Sequence, residues 1–445
     1  MDSFSTGNSL SESASTAACA SAYVLKLPTG QPVGTSRAGT RDELLMGFVM
    51  PTSVSARPRG TVILQGNMAT EQKITEQDVL AALERVEDPE IGKPITELGM
   101  VESVRIDGAD VAVGIYLTIA GCPMRDTIED NTRAVLEELD GVGDVTVTLH
   151  TMSDEQRRAL ALKLRGEQTG PAIPFADPDT RTRIFAVASG KGGVGKSSMT
   201  VNLATALAAQ GLSVGVVDAD IYGHSVPGLM GSAEKGPTVV DEMIMPPIAH
   251  GVRHISVGQF VEGNAPIVWR GPMLTRAIQQ FLADVYWGDL DVLFMDLPPG
   301  TGDVAITVAQ LVPNAELLIV TTPQAAAAEV AERAGTIAQQ TDQKIAGVIE
   351  NMSGMTMPDG TVMNIFGEGG GEQVAERLTQ LTDSDVKLLG SIPLDPKLRE
   401  HGDAGTPVTI SEPDSPAAKA IQAVADQLKV RRESLAGKSL NPQVK

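Results

Sequence analysis

The sequence predicts an α/β fold with a mostly parallel sheet, preceded by a small α+β domain. Seven apolar runs of strand length, at 183–189, 213–219, 252–257, 291–297, 315–321, 344–350 and 386–392, recur with helical segments between most of them. Such alternation builds a parallel sheet covered on both faces. A glycine-rich turn separates the first run from a helix at 198–209. Residues 74–150 follow a different order, in which two neighbouring strands lie between helices.

Taken in order, residues 1–67 hold no lasting period of 2 or 3.6, and eight of the first sixteen are Ser or Thr, so we expect a disordered extension. No Lys or Arg precedes Lys26, so a secretory leader is not expected. Met68 stands directly before the first convincing helix and is the expected natural start, with 1–67 a misassigned extension. In the small domain, 74–150, Thr75 and Asp78 read as a variant capping box, and Val79, Leu80, Leu83 and Val86 form the apolar stripe behind it. Asp88-Pro89-Glu90 stops that helix. Strands at 100–106 and 111–118 flank a turn at Asp107-Gly108-Ala109-Asp110. A helix running to Leu139 and a strand from Val145 to Leu149 complete the unit. Residues 151–182 supply a helix (154–165) and then a Gly- and Pro-rich linker. The α/β domain occupies 183–428, and 429–445 form a basic tail.

Composition excludes several functions. The 445 residues include 56 acidic and 35 basic side chains, a formal charge of −21. Residues 1–67 hold five of the basic and four of the acidic ones, so 68–445 carry −22. Such acidity speaks against binding nucleic acid through a general basic face. No apolar run approaches the roughly 18 residues that span a bilayer. Two cysteines, Cys19 and Cys122, cannot form a disulfide framework or supply the four thiolates of a cluster. The general expectation is a soluble cytoplasmic protein without stable membrane association.

The sharpest motif is Gly190-Lys191-Gly192-Gly193-Val194-Gly195-Lys196-Ser197, which fits G-x-x-x-x-G-K-[ST] at every position and lies between a strand and a helix. This is the phosphate-binding loop of a P-loop NTPase. Glycines let backbone N–H groups turn toward the phosphates, Lys196 reaches the β and γ oxygens, Ser197 ligates Mg²⁺, and the helix dipole favours the anion. Gly190, Gly192 and Gly195 also satisfy G-x-G-x-x-G, but a dinucleotide fold needs no terminal Lys-Ser. Asp218-Ala219-Asp220 and Asp296 end two strands on the edge where nucleotides bind. Asp296, in Asp-Leu-Pro-Pro-Gly-Thr-Gly-Asp, reads as the magnesium-side carboxylate.

Lys191, a second lysine inside the loop, resembles the signature lysine of the deviant Walker A loop in the MinD/ParA/nitrogenase-iron-protein group. The resemblance implies an ATP-bound homodimer in which Lys191 reaches the partner's nucleotide. It also implies that Asp220 orients the attacking water with Asp218 near Mg²⁺, two roles that can be exchanged. Asp218 through Pro227, Asp296 through Asp303, Glu350-Asn351-Met352-Ser353 and Gly390-Ser391-Ile392-Pro393-Leu394 together resemble the Mrp/ApbC family of ATP-dependent iron–sulfur cluster carriers. Residues 74–150, with Asp88-Pro89-Glu90 and Ala120-Gly121-Cys122-Pro123, are similar to the SufT-like domain that many members carry in front. Likeness to that family implies ATP hydrolysis, delivery of a [4Fe-4S] cluster to apo iron–sulfur proteins, contact with cluster assembly machinery, and adenine contacts from Asn351 with Pro393 beside it. Ser198 belongs to the same nucleotide site.

One departure is plain. Family members place C-x-x-C shortly after Asn-Met-Ser, whereas this chain reads Gly354-Met355-Thr356-Met357-Pro358-Asp359-Gly360 and has no cysteine beyond Cys122. Met355, Met357 and Met363 are poor cluster ligands because thioethers suit Cu(I), so a hairpin packed across a dimer is the expectation there. Cys122 becomes the candidate cluster or thiolate site, with a small buried hydrophobe as the alternative for a lone cysteine. Pro123 at the first helical position would put Cys122 at the cap, where the dipole and Arg125 lower the thiol pKa. Two alternatives stand beside the carrier: an ATP-switched scaffold without its own cluster, and a MinD/ParA-like positioning ATPase. The tail (Lys429, Arg431, Arg432, Lys438, Lys445) lacks the aromatic anchors and apolar face of a membrane helix.

Overall fold

The computed structural model describes residues 74–429 except 120, 123, 166–172, 178, 221–222, 261–270, 301–302, 325–326 and 358. The expectations for 1–67, for Met68, for Pro123 and for the tail beyond Lys429 fall outside the described residues. The described residues lie in one compact unit that begins at Thr70.

The N-terminal lobe runs α1 (Glu76–Leu83), a two-residue ladder of β1 (Glu87–Asp88) with β2 (Lys93–Pro94), β3 (Val101–Asp107), β4 (Asp110–Leu117), α2 (Arg125–Glu137), β5 (Val145–Thr151) and α3 (Asp154–Arg165). Thr75 caps α1 reciprocally: the Asp78 N–H donates to Thr75 Oγ1 at 3.3 Å and the Thr75 N–H donates to Asp78 Oδ2 at 3.0 Å. β3 and β4 pair antiparallel down to Asp107 opposite Asp110, and α2 carries the chain over to β5, parallel to β4. Past α3, Phe175 is buried and meets Trp287 edge to face at 6.4 Å, so the latter part of the connector is anchored, contrary to a free linker.

The second lobe begins with β6 (Arg183–Ala188), α4 (Lys196–Ala209), β7 (Val214–Asp218) and the single turn α5 (Val226–Leu229). A hairpin, β8 (Thr238–Val240) with β9 (Met243–Met245), precedes β10 (Ile248–Ala249) and β11 (Val252–Ser256). Then come α6 (Gly271–Ala283), β12 (Val292–Asp296), α7 (Asp303–Leu311), β13 (Glu316–Thr321), α8 (Ala327–Thr341) and β14 (Ile345–Ser353). The chain ends with β15 (Met355–Thr356), β16 (Val362–Met363), α9 (Gly370–Thr382), β17 (Leu388–Pro393), α10 (Pro396–Asp403), α11 (Val408–Ser411) and α12 (Pro416–Leu428). The central sheet has the order β10-β11-β7-β12-β6-β13-β14-β17, and every neighbouring pair except β10 with β11 is parallel. All seven apolar runs are strands of this sheet. Its strands alternate between two cores: Ile184, Ala186 and Ala188 enter one, Phe185 and Val187 the other. In the second core Phe185 stacks on Phe294 with ring centres 5.4 Å apart, under α4 and α12.

The β8–β9 hairpin has no strong sequence signal, yet it joins the two lobes. Val240, Met243 and Met245 are buried in one apolar cluster with Val79, Ile115 and Leu136 of the N-terminal lobe. A lobe of about 75 residues buries little surface by itself, and borrowing three large side chains enlarges its core. Among the described residues no helix is long and apolar enough to cross a membrane.

Candidate functional site: a phosphate loop under three carboxylates

β6 rises from the core and breaks at Ser189; the loop to Gly195 then feeds α4. Two glycines have a physical reason that is visible at once. A Cβ at Gly190 would lie 2.7 Å from Val330 Cγ2, and Gly195 takes φ +80°, a left-handed conformation, with the Asn351 amide against it. The loop is tied down by Ser189 Oγ donating to the Lys191 carbonyl at 3.0 Å and by Arg333 donating to the Gly190 carbonyl at 2.9 Å. Gly195 caps α4 without any side-chain acceptor, which leaves the first-turn N–H groups directed at the loop.

Lys196 is 6% exposed and its Nζ lies 2.8 Å from Asp296 Oδ1. Ser197 Oγ donates to Asp296 Oδ2 at 2.5 Å, and Thr200 Oγ1 donates to Oδ1 at 2.8 Å. Asp296 is thus fully buried with three donors, and a buried carboxylate requires that degree of satisfaction. Asp218, equally buried, accepts from Ser256 Oγ at 3.0 Å, from the Val226 N–H at 3.3 Å and from the Asp220 N–H at 3.1 Å. Burial, with the neighbouring Asp296 charge added, holds the Asp218 carboxyl well above the ordinary range. Asp220 accepts from the Gly223 N–H at 3.0 Å. The hydroxyl of Ser197 and the carboxylates of Asp218 and Asp296 form a hard oxygen set that fits Mg²⁺.

Asn351 donates from Nδ2 to the Val194 carbonyl at 2.8 Å, while its Oδ1 is buried without a partner and can accept from a ligand. Met352 follows at φ +61°, a strained non-glycine conformation beside the loop. Pro393 ends β17 and helps line a hollow of about 350 Å³ with Met355 and Leu394. Lys191 is held by the Gln324 side-chain carbonyl of its own chain, and Ser198 lies in the first turn of α4. Thr200, Ser256 and Gln324 escaped the sequence reading because each acts by contact with a residue distant along the chain.

Cys122 corrects an expectation. α2 starts at Arg125 with Met124 as its N-cap, so Cys122 is not at the cap. The thiol is buried in the apolar cluster, and burial pushes it up to about 11, with Glu90 and Asp88 adding to the rise. It is a protonated thiol at neutral pH. Glu90 is itself raised to about 7 by burial and by Asp88, and it accepts from Thr238 Oγ1 of the hairpin at 3.4 Å. A raised acid stabilises the fold below its unfolded value, near 4.5, and that contribution is lost as pH climbs through about 7. Glu90→Gln should therefore melt above the parent protein at pH 8 and converge with it near pH 4.5, as read by thermal scans across that range. Among the described residues no group of three or more His, Cys, Asp or Glu is arranged to hold a metal ion.

A family model described as the NUBPL iron-transfer P-loop NTPase matches residues 180–429. The chain belongs to this family. A second model, described as an iron–sulfur cluster assembly protein, matches residues 76–149. The iron–sulfur cluster carrier protein of Mycobacterium tuberculosis is 62% identical over 364 residues, covering 81% of this chain and 95% of that protein. The protein of the same name from Bacillus subtilis is 39% identical over 324 residues, covering 72% of this chain and 88% of its own length. Among solved structures, a nucleotide-binding protein from Archaeoglobus fulgidus in complex with ADP is 35% identical, covers 57% of this chain and 91% of its own, and has a TM-score of 0.44.

Proposed function

We propose that this protein is an ATP-dependent iron–sulfur cluster carrier in which the nucleotide site governs a thiol site in the N-terminal lobe. The observation that carries the reading is the hairpin: β8–β9 belongs to the NTPase lobe, yet its Val240, Met243 and Met245 share a core with Cys122, and its Thr238 reaches Glu90 beside that thiol. The carrier relatives and the two family models support the same assignment.

In this reading the loop amides and Lys196 bind the phosphates of ATP, with Lys196 exchanging the Asp296 carboxylate for phosphate oxygens. Positive charge to offset that of the phosphates would come from a bound Mg²⁺. Ser197, Asp218 and Asp296 would hold it, and Asp220 would orient the attacking water. Asn351 Oδ1 is the free acceptor for the base. Lys191 would leave Gln324 to reach the nucleotide of a second copy, which makes the working form a homodimer. The β15–β16 hairpin and the turn after it present Val362, Met363 and Ile365 at 62%, 50% and 52% exposure, which suits the same dimer.

The cargo constrains the mechanism. Among the described residues Cys122 is the one thiol, so a dimer supplies two, and a [4Fe-4S] cargo would take its other ligands from the donor or the apo-acceptor. The absence of C-x-x-C favours one second reading, an ATP-switched scaffold that recruits assembly machinery. Anaerobic reconstitution with ferrous iron and sulfide, with and without Mg-ATP, separates the two. The carrier predicts bound iron and sulfide, transfer to an apo-ferredoxin, and loss of both in Cys122→Ala. A protein that neither binds nor transfers, with Cys122→Ala indistinguishable from the parent, is the scaffold.

A further inference from the structure

Between the lobes, at the sheet edge opposite the phosphate loop, lies a cleft of about 1340 Å³. It is lined by the starts of strands rather than their ends: Ser213, Arg253 and Asp291 face it, and the N-terminal lobe closes it with Ile91, Gly92 and Lys93. Clefts between domains are where small ligands are commonly held. Nothing in the nucleotide site uses this one.

Its unusual occupant is Arg253, the second residue of β11. The guanidinium reaches across to the N-terminal lobe, where a Cβ at Gly92 would lie 3.4 Å from its Nη2. The Nε is buried without a hydrogen-bond partner, and among the described residues the side chain has no ion pair. Burial pulls its pKa down, and no carboxylate counters that pull. Four acids line the cleft, but each lies away from this charge or is engaged. Asp291 accepts from the Ser213 N–H at 2.9 Å, Glu242 and Asp284 have interactions of their own, and Asp289 acts on Lys93 and Tyr286. The Tyr286 hydroxyl, close enough to feel both Lys93 and Arg253, has no hydrogen-bond partner among the described residues. A guanidinium whose Nε donor is buried without a partner, next to a hydroxyl with no partner of its own, is costly unless an acceptor fills the space. The fork geometry matches the two oxygens of a carboxylate or phosphate.

We propose that the interlobe cleft is a second anion site that takes a small molecule bearing a carboxylate or phosphate group, bound by Arg253 and Tyr286, while the neighbouring Lys93 stays paired with Glu97 at 3.0 Å. Because the cleft is walled by both lobes, its ligand would fix the N-terminal lobe against the NTPase lobe.

The test uses the full chain carrying Lys196→Ala, so that the phosphate loop does not respond, at constant ionic strength made up with chloride. Inorganic phosphate and, separately, citrate are titrated by calorimetry and by tryptophan fluorescence, since Trp287 lines the cleft. One saturable site for either probe is expected. Adding Arg253→Gln should weaken it at least about tenfold, the loss that follows from removing a charged donor pair. Adding Tyr286→Phe, which deletes only a hydroxyl, should weaken it by a smaller factor and serves if Arg253→Gln fails to fold. Arg399→Gln, at an exposed pair with Asp403, should change nothing. A response to phosphate alone, or to citrate alone, names the group recognised. No saturable binding of either probe, or equal binding with and without Arg253 and the Tyr286 hydroxyl, overturns the proposal.

Discussion

Lys196→Ala is expected to abolish measurable Mg-ATP binding while leaving the fold in place. The ammonium is buried against Asp296 and Asp218, and it offsets the negative charge gathered there. Without it, a triphosphate would approach two carboxylates with only backbone amides to hold it, and a charge-assisted contact of this kind is worth about 1.5–3 kcal/mol before repulsion is added. The loss should therefore exceed about a hundredfold in calorimetric affinity. The fold survives because Ser197 and Thr200 still donate to Asp296. It should nonetheless lose stability in a pH-dependent way. Asp218 is already raised, and removing the cation that opposes the rise lifts it further. The deficit is small at acid pH, where that carboxyl is protonated, and grows as pH rises through its folded value. Lys191→Ala should behave differently, sparing binding by the single chain and lowering turnover. Equal loss of both would remove the cross-dimer role.

Phe185→Ala should cost about 3–5 kcal/mol in denaturant unfolding, the largest stability effect expected of a single core change. The ring is fully buried on β6, stacked on Phe294 and packed beneath α4, the helix that the phosphate loop enters. Truncation leaves a void that neighbouring strands cannot close, because they are pinned by ladders on both sides. Phe294→Ala in the same protein should add less than its single cost, since the two rings share one contact. Leu162→Ala, at 69% exposure, is the contrast and should stay within about 0.5 kcal/mol of the parent.

Legibility in the sequence differs by element. The seven strands were readable because a strand buried on both faces must be apolar throughout, and 183–189 or 315–321 can hardly be anything else between helical segments. The capping box at Thr75 and the phosphate loop were readable because their chemistry depends on spacing within a few residues. The β8–β9 hairpin was not. Its three-residue strands carry no period, and Val240, Met243 and Met245 acquire meaning only from a core assembled by residues 79 to 161. Cys122 was misread for a related reason: Pro123 suggested a cap, but the helix begins at Arg125 and the thiol is enclosed by packing from elsewhere in the chain.

The sequence by itself determined the parallel α/β architecture and the glycine-rich loop between β6 and α4, and it singled out Lys196, Ser197, Asp218 and Asp296 as candidates, because those features rest on local periodicity, fixed spacing or strand ends. The tertiary structure alone decided that Thr200 and Ser256 hold the buried carboxylates, that Gln324 holds Lys191, that the lobes share a core through a hairpin, and that Arg253 has no acceptor in the cleft between them. The pairings of Thr200, Ser256 and Gln324 alone span 38 to 133 residues of chain. A pKa or an unpaired charge is set by what surrounds a group in space, and a linear sequence does not state that.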